Sequence, residues 1–119
     1  MSSRVTSALW VAAYIRRCGV AGASAYLLRK GAEAAGAIYI KVNKLDGTAL
    51  VLAPAPQAVF DTARPERAWI GWRGGNPVPE AEADDYLRRE SGFDPDLWLV
   101  EIEDRKGRHF LLQSEVAEG

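Results

Sequence analysis

Residues 35 to 52 read Ala-Gly-Ala-Ile-Tyr-Ile-Lys-Val-Asn-Lys-Leu-Asp-Gly-Thr-Ala-Leu-Val-Leu, two apolar stretches either side of Asp46-Gly47. Aspartate followed by glycine tolerates the positive φ angles of a tight hairpin turn, so the run predicts a β-hairpin and hence an antiparallel sheet. Ile38, Ile40 and Val42 are expected on one face, with Tyr39, Lys41 and Asn43 on the other. That alternation suits a half-buried sheet.

Elements on both sides of the hairpin follow from local signals. Thr6 or Ser7 can cap a helix running to about Cys18, with Arg16 and Arg17 in its last turn and Gly19 placed to end it. Leu9, Ala12, Ala13 and Arg16 share one stripe, and Trp10, Tyr14 and Cys18 a neighbouring one. Such a helix, apolar around much of its girth, is expected to be sandwiched or to join a subunit contact. Residues 24 to 29 read as a first strand. Pro54 and Pro56 end the third strand, because proline cannot donate to a ladder. Residues 57 to 66 form a polar connection, and residues 68 to 73 a fourth strand stopped by Gly74-Gly75-Asn76-Pro77. Pro79 opens a second helix whose early acids, Glu80, Glu82, Asp84 and Asp85, suit its positive end. Ala83, Tyr86, Leu87 and Glu90 form the inner stripe, and the helix ends at Gly92. Residues 97 to 103 are the clearest later strand, and His109 to Leu112 a short returning one.

The order α-β-β-β-β-α-β predicts a single α+β domain over residues 1–112. A mainly antiparallel sheet of four to six strands carries two helices, expected on one face. Residues 113–119 are expected to be a flexible tail. A chain of 119 residues suits one domain that buries about two thirds of its unfolded surface. No stretch approaches the roughly 20 apolar residues of a membrane span, so no membrane association is expected. Arg16 and Arg17 interrupt the apolar run from Ala8 to Ile15, and no signal peptide is expected. Cys18 is the one cysteine; it cannot form an internal disulfide, which points to a reducing, cytoplasmic setting.

The chain lacks catalytic and cofactor signatures. His109 is the one histidine; without an identified nucleophile or orienting acid, it reads as a surface or edge residue. One histidine and one cysteine exclude the usual zinc set within a chain. Cys18, at the C-terminal end of its helix, reads as a packed thiol. Glu101 and Glu103 share a strand face at period two, the spacing of an acid-base pair, but any solvated sheet face shows the same pattern. Asp94-Pro95-Asp96 lacks the alternating oxygen ligands of a calcium loop, and Gly71, Gly74 and Gly75 match no phosphate loop. No catalytic, cofactor-binding or metal residue is assigned.

Charge and aromatics carry the remaining signal. Up to Lys44 there are seven Lys/Arg against the single acid Glu33; beyond it there are eight against fifteen. Scattered positive charge of this kind is expected to be neutralised when the halves fold together. Trp10 and Trp98 fit a core. Trp69 and Trp72 cannot share one face of a regular strand, so either one of them is a surface aromatic beside Arg73, able to anchor a protein or stack on a base, or the strand carries a bulge or is buried on both sides.

The Ser7-Ala-Leu-Trp-Val-Ala helix, Arg16-Arg17, Arg29-Lys30-Gly31, Ala35-Gly36-Ala37-Ile38, Ala53-Pro54-Ala55-Pro56 and the closing Gly92-Phe93-Asp94-Pro95-Asp96-Leu97-Trp98-Leu99-Val100-Glu101-Ile102-Glu103 together resemble the bacterial family known as domain of unknown function 1491. That family occurs mainly in alphaproteobacteria. The resemblance covers nearly the whole chain and implies a small, soluble, cytoplasmic bacterial protein; it carries no activity or site residues with it. The leading expectation is a non-enzymatic protein-interaction module that self-associates, as a dimer or with an unidentified protein. Its candidate surface is Trp69, Trp72, Arg73, Arg16, Arg17, Arg29 and Lys30. The alternative is nucleic-acid binding through the basic half, with Lys41 and Lys44 added. A third reading is a small enzyme using Glu101, Glu103 or His109.

Overall fold

In the computed structural model, which describes residues 5–56 and 67–117, the Thr6 hydroxyl accepts the Leu9 N–H and opens helix α1 (Ser7–Val20). The expected stop at Gly19 is overrun. The left-handed residue is Gly22, at φ 91, and the Ala23 N–H closes the end on the Cys18 carbonyl. The strands are β1 (Ser24–Arg29), β2 (Ile38–Asn43), β3 (Thr48–Pro54), β4 (Trp69–Gly71) and β5 (Val78–Pro79); after helix α2 (Glu80–Phe93) comes β6 (Trp98–Glu103). The expected connection over residues 57 to 66 and the last two residues of the expected tail lie outside the described residues.

The six strands form one sheet, ordered β1-β6-β2-β3-β4 with β5 also on β3. All named pairings are antiparallel except β2 with β6, which runs parallel from Ile38↔Trp98 to Asn43↔Glu103. The last strand thus enters the middle of the sheet, between β1 and the hairpin, after α2 carries the chain back across it.

The helices do not share a face. Val11, Tyr14 and Cys18 of α1 pack on Ile40, Val42, Val100 and Ile102. Ala83 and Leu87 of α2 pack on Ala49 and Val51, which point the opposite way. The continuous apolar run of β3 is the mark of a strand covered on both sides. The stripe Leu9, Ala12, Ala13 and Arg16 accordingly faces outward, and Leu9 is exposed. At the hairpin the positive φ values fall on Leu45 (62) and Gly47 (89), while Asp46 accepts the Thr48 N–H instead. An Asx turn does the work assigned to an Asp-Gly pair.

Two further elements differ from expectation. β4 stops at Gly71, because Trp72–Gly75 folds into a 3₁₀ turn with Arg73 at φ 54. His109 to Leu112 form no strand, because Phe110 is left-handed (φ 59). Within the expected tail, Gln113–Glu115 make a 3₁₀ turn, Val116 bridges to Trp69 and Ala117 is buried.

Candidate functional site

The structure scatters the predicted interaction residues and commits most of them to the fold. Trp69 is buried, with its Nε1 donating to the Ile38 carbonyl at 2.8 Å. Trp10 lies between the Tyr14 and Trp69 rings, 4.7 and 4.6 Å from them. Trp72 is on the other face, half-buried, stacked at 4.3 Å on Tyr86 with the Arg73 guanidinium 4.7 Å above it. The expectation that Trp69 and Trp72 diverge is met. Arg17 ties the C-terminal segment to α1, donating to the Phe110 carbonyl and pairing with Glu115 at 3.2 Å. Arg29 donates to the Pro95 and Leu97 carbonyls. Arg16 and Lys30 are exposed, on α1 and just past β1. These residues do not converge on one surface.

Glu101 and Glu103 do share a face, but Glu101 is not solvated as expected. Lys41, buried under α2, bonds Glu80 at 2.7 Å, Asp84 at 2.8 Å and Glu101 at 3.3 Å. Asn43 donates to Glu80 and Glu101. Burial alone would push the Lys41 ammonium down; the hydrogen bonds it donates to Asp84 and Glu80 and the charge of Glu101 together raise it above its usual value. A lysine held this firmly in its charged form is a poor nucleophile or base. Here the basic half meets the acidic half, as the neutralisation reading expects. Glu103 accepts from the Tyr26 hydroxyl. Among the described residues, no three His, Cys, Asp or Glu side chains are arranged to hold a metal.

The remaining candidate is an edge. At one side of the sheet, β4 is sealed by the Val116 bridge and by the Ala117 N–H on the Trp69 carbonyl. At the other, β1 bonds β6 along one side only among the described residues. Along this edge Tyr26, Leu27 and Leu28 are exposed by 47%, 44% and 52%. Edge strands of monomeric proteins usually carry charge at such positions to block pairing. No residue between Arg17 and Arg29 is charged. A bulge after Leu27 and Arg29 at the strand's end are the features that limit this edge. The sequence signal was the long uncharged interval, not the aromatic-arginine pairs.

No helix among the described residues is long and apolar enough to cross a membrane. Comparison with known proteins finds solved structures of similar architecture. A crystal structure of a DUF1491 family protein from Caulobacter crescentus CB15 is 40% identical; the match covers 96% of this chain and 98% of that one, with a TM-score of 0.75. An NMR structure of a DUF1491 family protein from the same organism is 39% identical over 98% and 100% of the two chains, with a TM-score of 0.76. A solution structure of a protein from A. tumefaciens is 42% identical over 85% and 86%, with a TM-score of 0.70. No curated protein matches the chain. The family profile described as "Protein of unknown function (DUF1491)" matches residues 5–112, and the chain belongs to that family.

Proposed function

We propose that the protein is a non-enzymatic interaction module of the cytoplasm that associates with a second copy of itself through β1. The observation that carries this reading is the open edge with Tyr26, Leu27 and Leu28 exposed on an uncharged strand. Antiparallel pairing of two such edges about a two-fold axis at Tyr26 sets Tyr26 against its own mate and Ala25 against Leu27. Each copy satisfies the other's free backbone groups, and no like charges meet. The buried thiol of Cys18 suits a reducing compartment. Glu101, Glu103 and Lys41, the groups that chemistry would need, are already engaged with one another or with Tyr26.

Light scattering or sedimentation tests the reading. In the tens of micromolar range the mass is expected to be that of two chains. Leu27→Lys puts charge on the edge and is expected to weaken the dimer at least about tenfold. Its thermal midpoint, corrected for the lost dimer, stays near that of the parent, because Leu27 lies outside both core clusters. Leu9→Lys, on the outer face of α1, leaves the mass unchanged. A single-chain mass for the parent, or a dimer indifferent to Leu27→Lys, overturns the assignment.

A further inference from the structure

Between β3, β4 and the segment after β6 lies a cavity of about 420 Å³, away from the β1 edge. That volume is within the range of small-molecule sites. Its lining is mainly apolar (Leu50, Leu52, Ile70 and Val116) and includes Gly75 and His109. None of the described residues that line it has a charged side chain.

His109 is held by its neighbours on two sides. Its carbonyl accepts from the Tyr14 hydroxyl, and its ring Nδ1 accepts the Leu111 N–H at 3.0 Å. An Nδ1 that accepts cannot carry the proton, so the neutral ring carries it on Nε2. Burial lowers the pKa of the imidazole, more than the nearby Glu115 carboxylate raises it, which supports the neutral form. Among the described residues, Nε2 has no hydrogen-bond partner, and it is not sealed from solvent. His109 thus brings one neutral side-chain donor to a mainly apolar lining.

Two strained turns frame this site. Arg73, Gly74 and Gly75 run in succession at φ 54, 70 and 77, and Phe110, next to His109, sits at φ 59. Left-handed non-glycine residues persist only where surrounding contacts over-determine them, and they gather at binding sites. Bonds that do so are present. Asp104 grips Arg108 and accepts its N–H, and Arg17 donates to the Phe110 carbonyl.

We propose that this cavity binds a small, neutral, mainly apolar molecule that presents one carbonyl oxygen to the Nε2–H of His109. No described lining residue offers a carboxylate or an amine an opposite charge, and Lys44 meets Gly107 with its Cδ and Cε atoms, so either ion would enter at a desolvation cost that apolar contact does not offset. A hydrocarbon of the same shape would leave the imidazole donor unpaired.

Amide NMR titration of the full chain with three probes tests this: acetophenone, ethylbenzene and benzoate. Acetophenone is expected to give saturable shifts at Gly75, Gly107 and Leu111. Ethylbenzene binds about fivefold more weakly, the worth of one neutral hydrogen bond, and benzoate gives no saturable shift. His109→Phe removes the donor at similar bulk and is expected to erase the preference for the ketone. Val116→Trp, on the face shared by Leu50 and Leu52, fills the cavity without altering His109 and is expected to abolish binding of both neutral probes. The site is refuted by absent saturation with acetophenone, by benzoate binding as tightly, or by shifts that survive Val116→Trp.

Discussion

Gly36→Ala is expected to destabilise the protein by about 3 kcal/mol or more, a large loss for the addition of one methyl group. A Cβ at this position would lie 2.1 Å from the Asp96 carbonyl oxygen and 2.8 and 2.9 Å from the Trp98 indole. Neither neighbour is a flexible side-chain end. The first is backbone at the approach to β6, and the second is a buried ring whose Nε1 donates to the Ala32 carbonyl. Gly36 cannot retreat, because its N–H bonds Ala32 and its carbonyl accepts from the buried Ser7 hydroxyl at 2.7 Å. Gly31 presses on the same Asp96–Trp98 stretch from its own side. Gly19→Ala supplies the contrast. Nothing lies within 4 Å of its Cβ position inside α1, so the change is expected to stabilise by about 0.8 kcal/mol through helix propensity. Urea midpoints of the two variants, moving in opposite directions, check both. A Gly36→Ala variant as stable as the parent would mean the loop before β2 does not pack on Trp98 as described.

The fold is most legible where local chemistry decides it. The Thr6 cap, the strand of residues 24 to 29 and the hairpin around Gly47 each rest on neighbours in sequence, and each is found. What depends on distant partners escapes local reading. Lys41 and Asn43 alternate with Ile40 and Val42 as solvent-facing residues would, yet α2 lies over them. Only the run of apolar residues in β3 hints that both faces are covered. The parallel β2–β6 pair leaves no local mark either, since a crossover is a property of topology, not of either strand.

The candidate sites divide in the same way. Strand period places Trp69 and Trp72 on opposite sides, as found, but period alone cannot show that Arg17 and Arg29 spend their donors on backbone carbonyls. His109 looks like part of a strand because its neighbours are apolar. The left-handed turn at Phe110 that aims it differently has no glycine or asparagine to announce it. The β1 edge is written as an absence of charge, a signal that gains meaning only once β1 is known to be outermost.

Lys41→Met is expected to cost about 3 kcal/mol at neutral pH, although methionine matches the lysine stem in length and apolar character. The loss comes from what stays behind. Lys41 has 4% of its side chain exposed and faces three carboxylates, of which Glu101 is itself only 14% exposed. Without the ammonium, Glu101 keeps the weak donor Asn43, 3.3 Å away. Glu80 and Asp84, 36% and 42% exposed, can turn toward water and recover part of their solvation, which holds the cost toward the lower end for a broken buried pair. The double variant Lys41→Met, Glu101→Leu leaves no stranded charge on the sheet and is expected to regain most of the stability, because a well-packed apolar pair competes with a buried ion pair. Denaturation curves for parent, single and double variants at neutral pH separate charge from packing. A single-variant loss below about 1 kcal/mol would mean that water reaches the cluster and screens it like a surface pair; a double variant no better than the single one would place the cost in packing, not in charge.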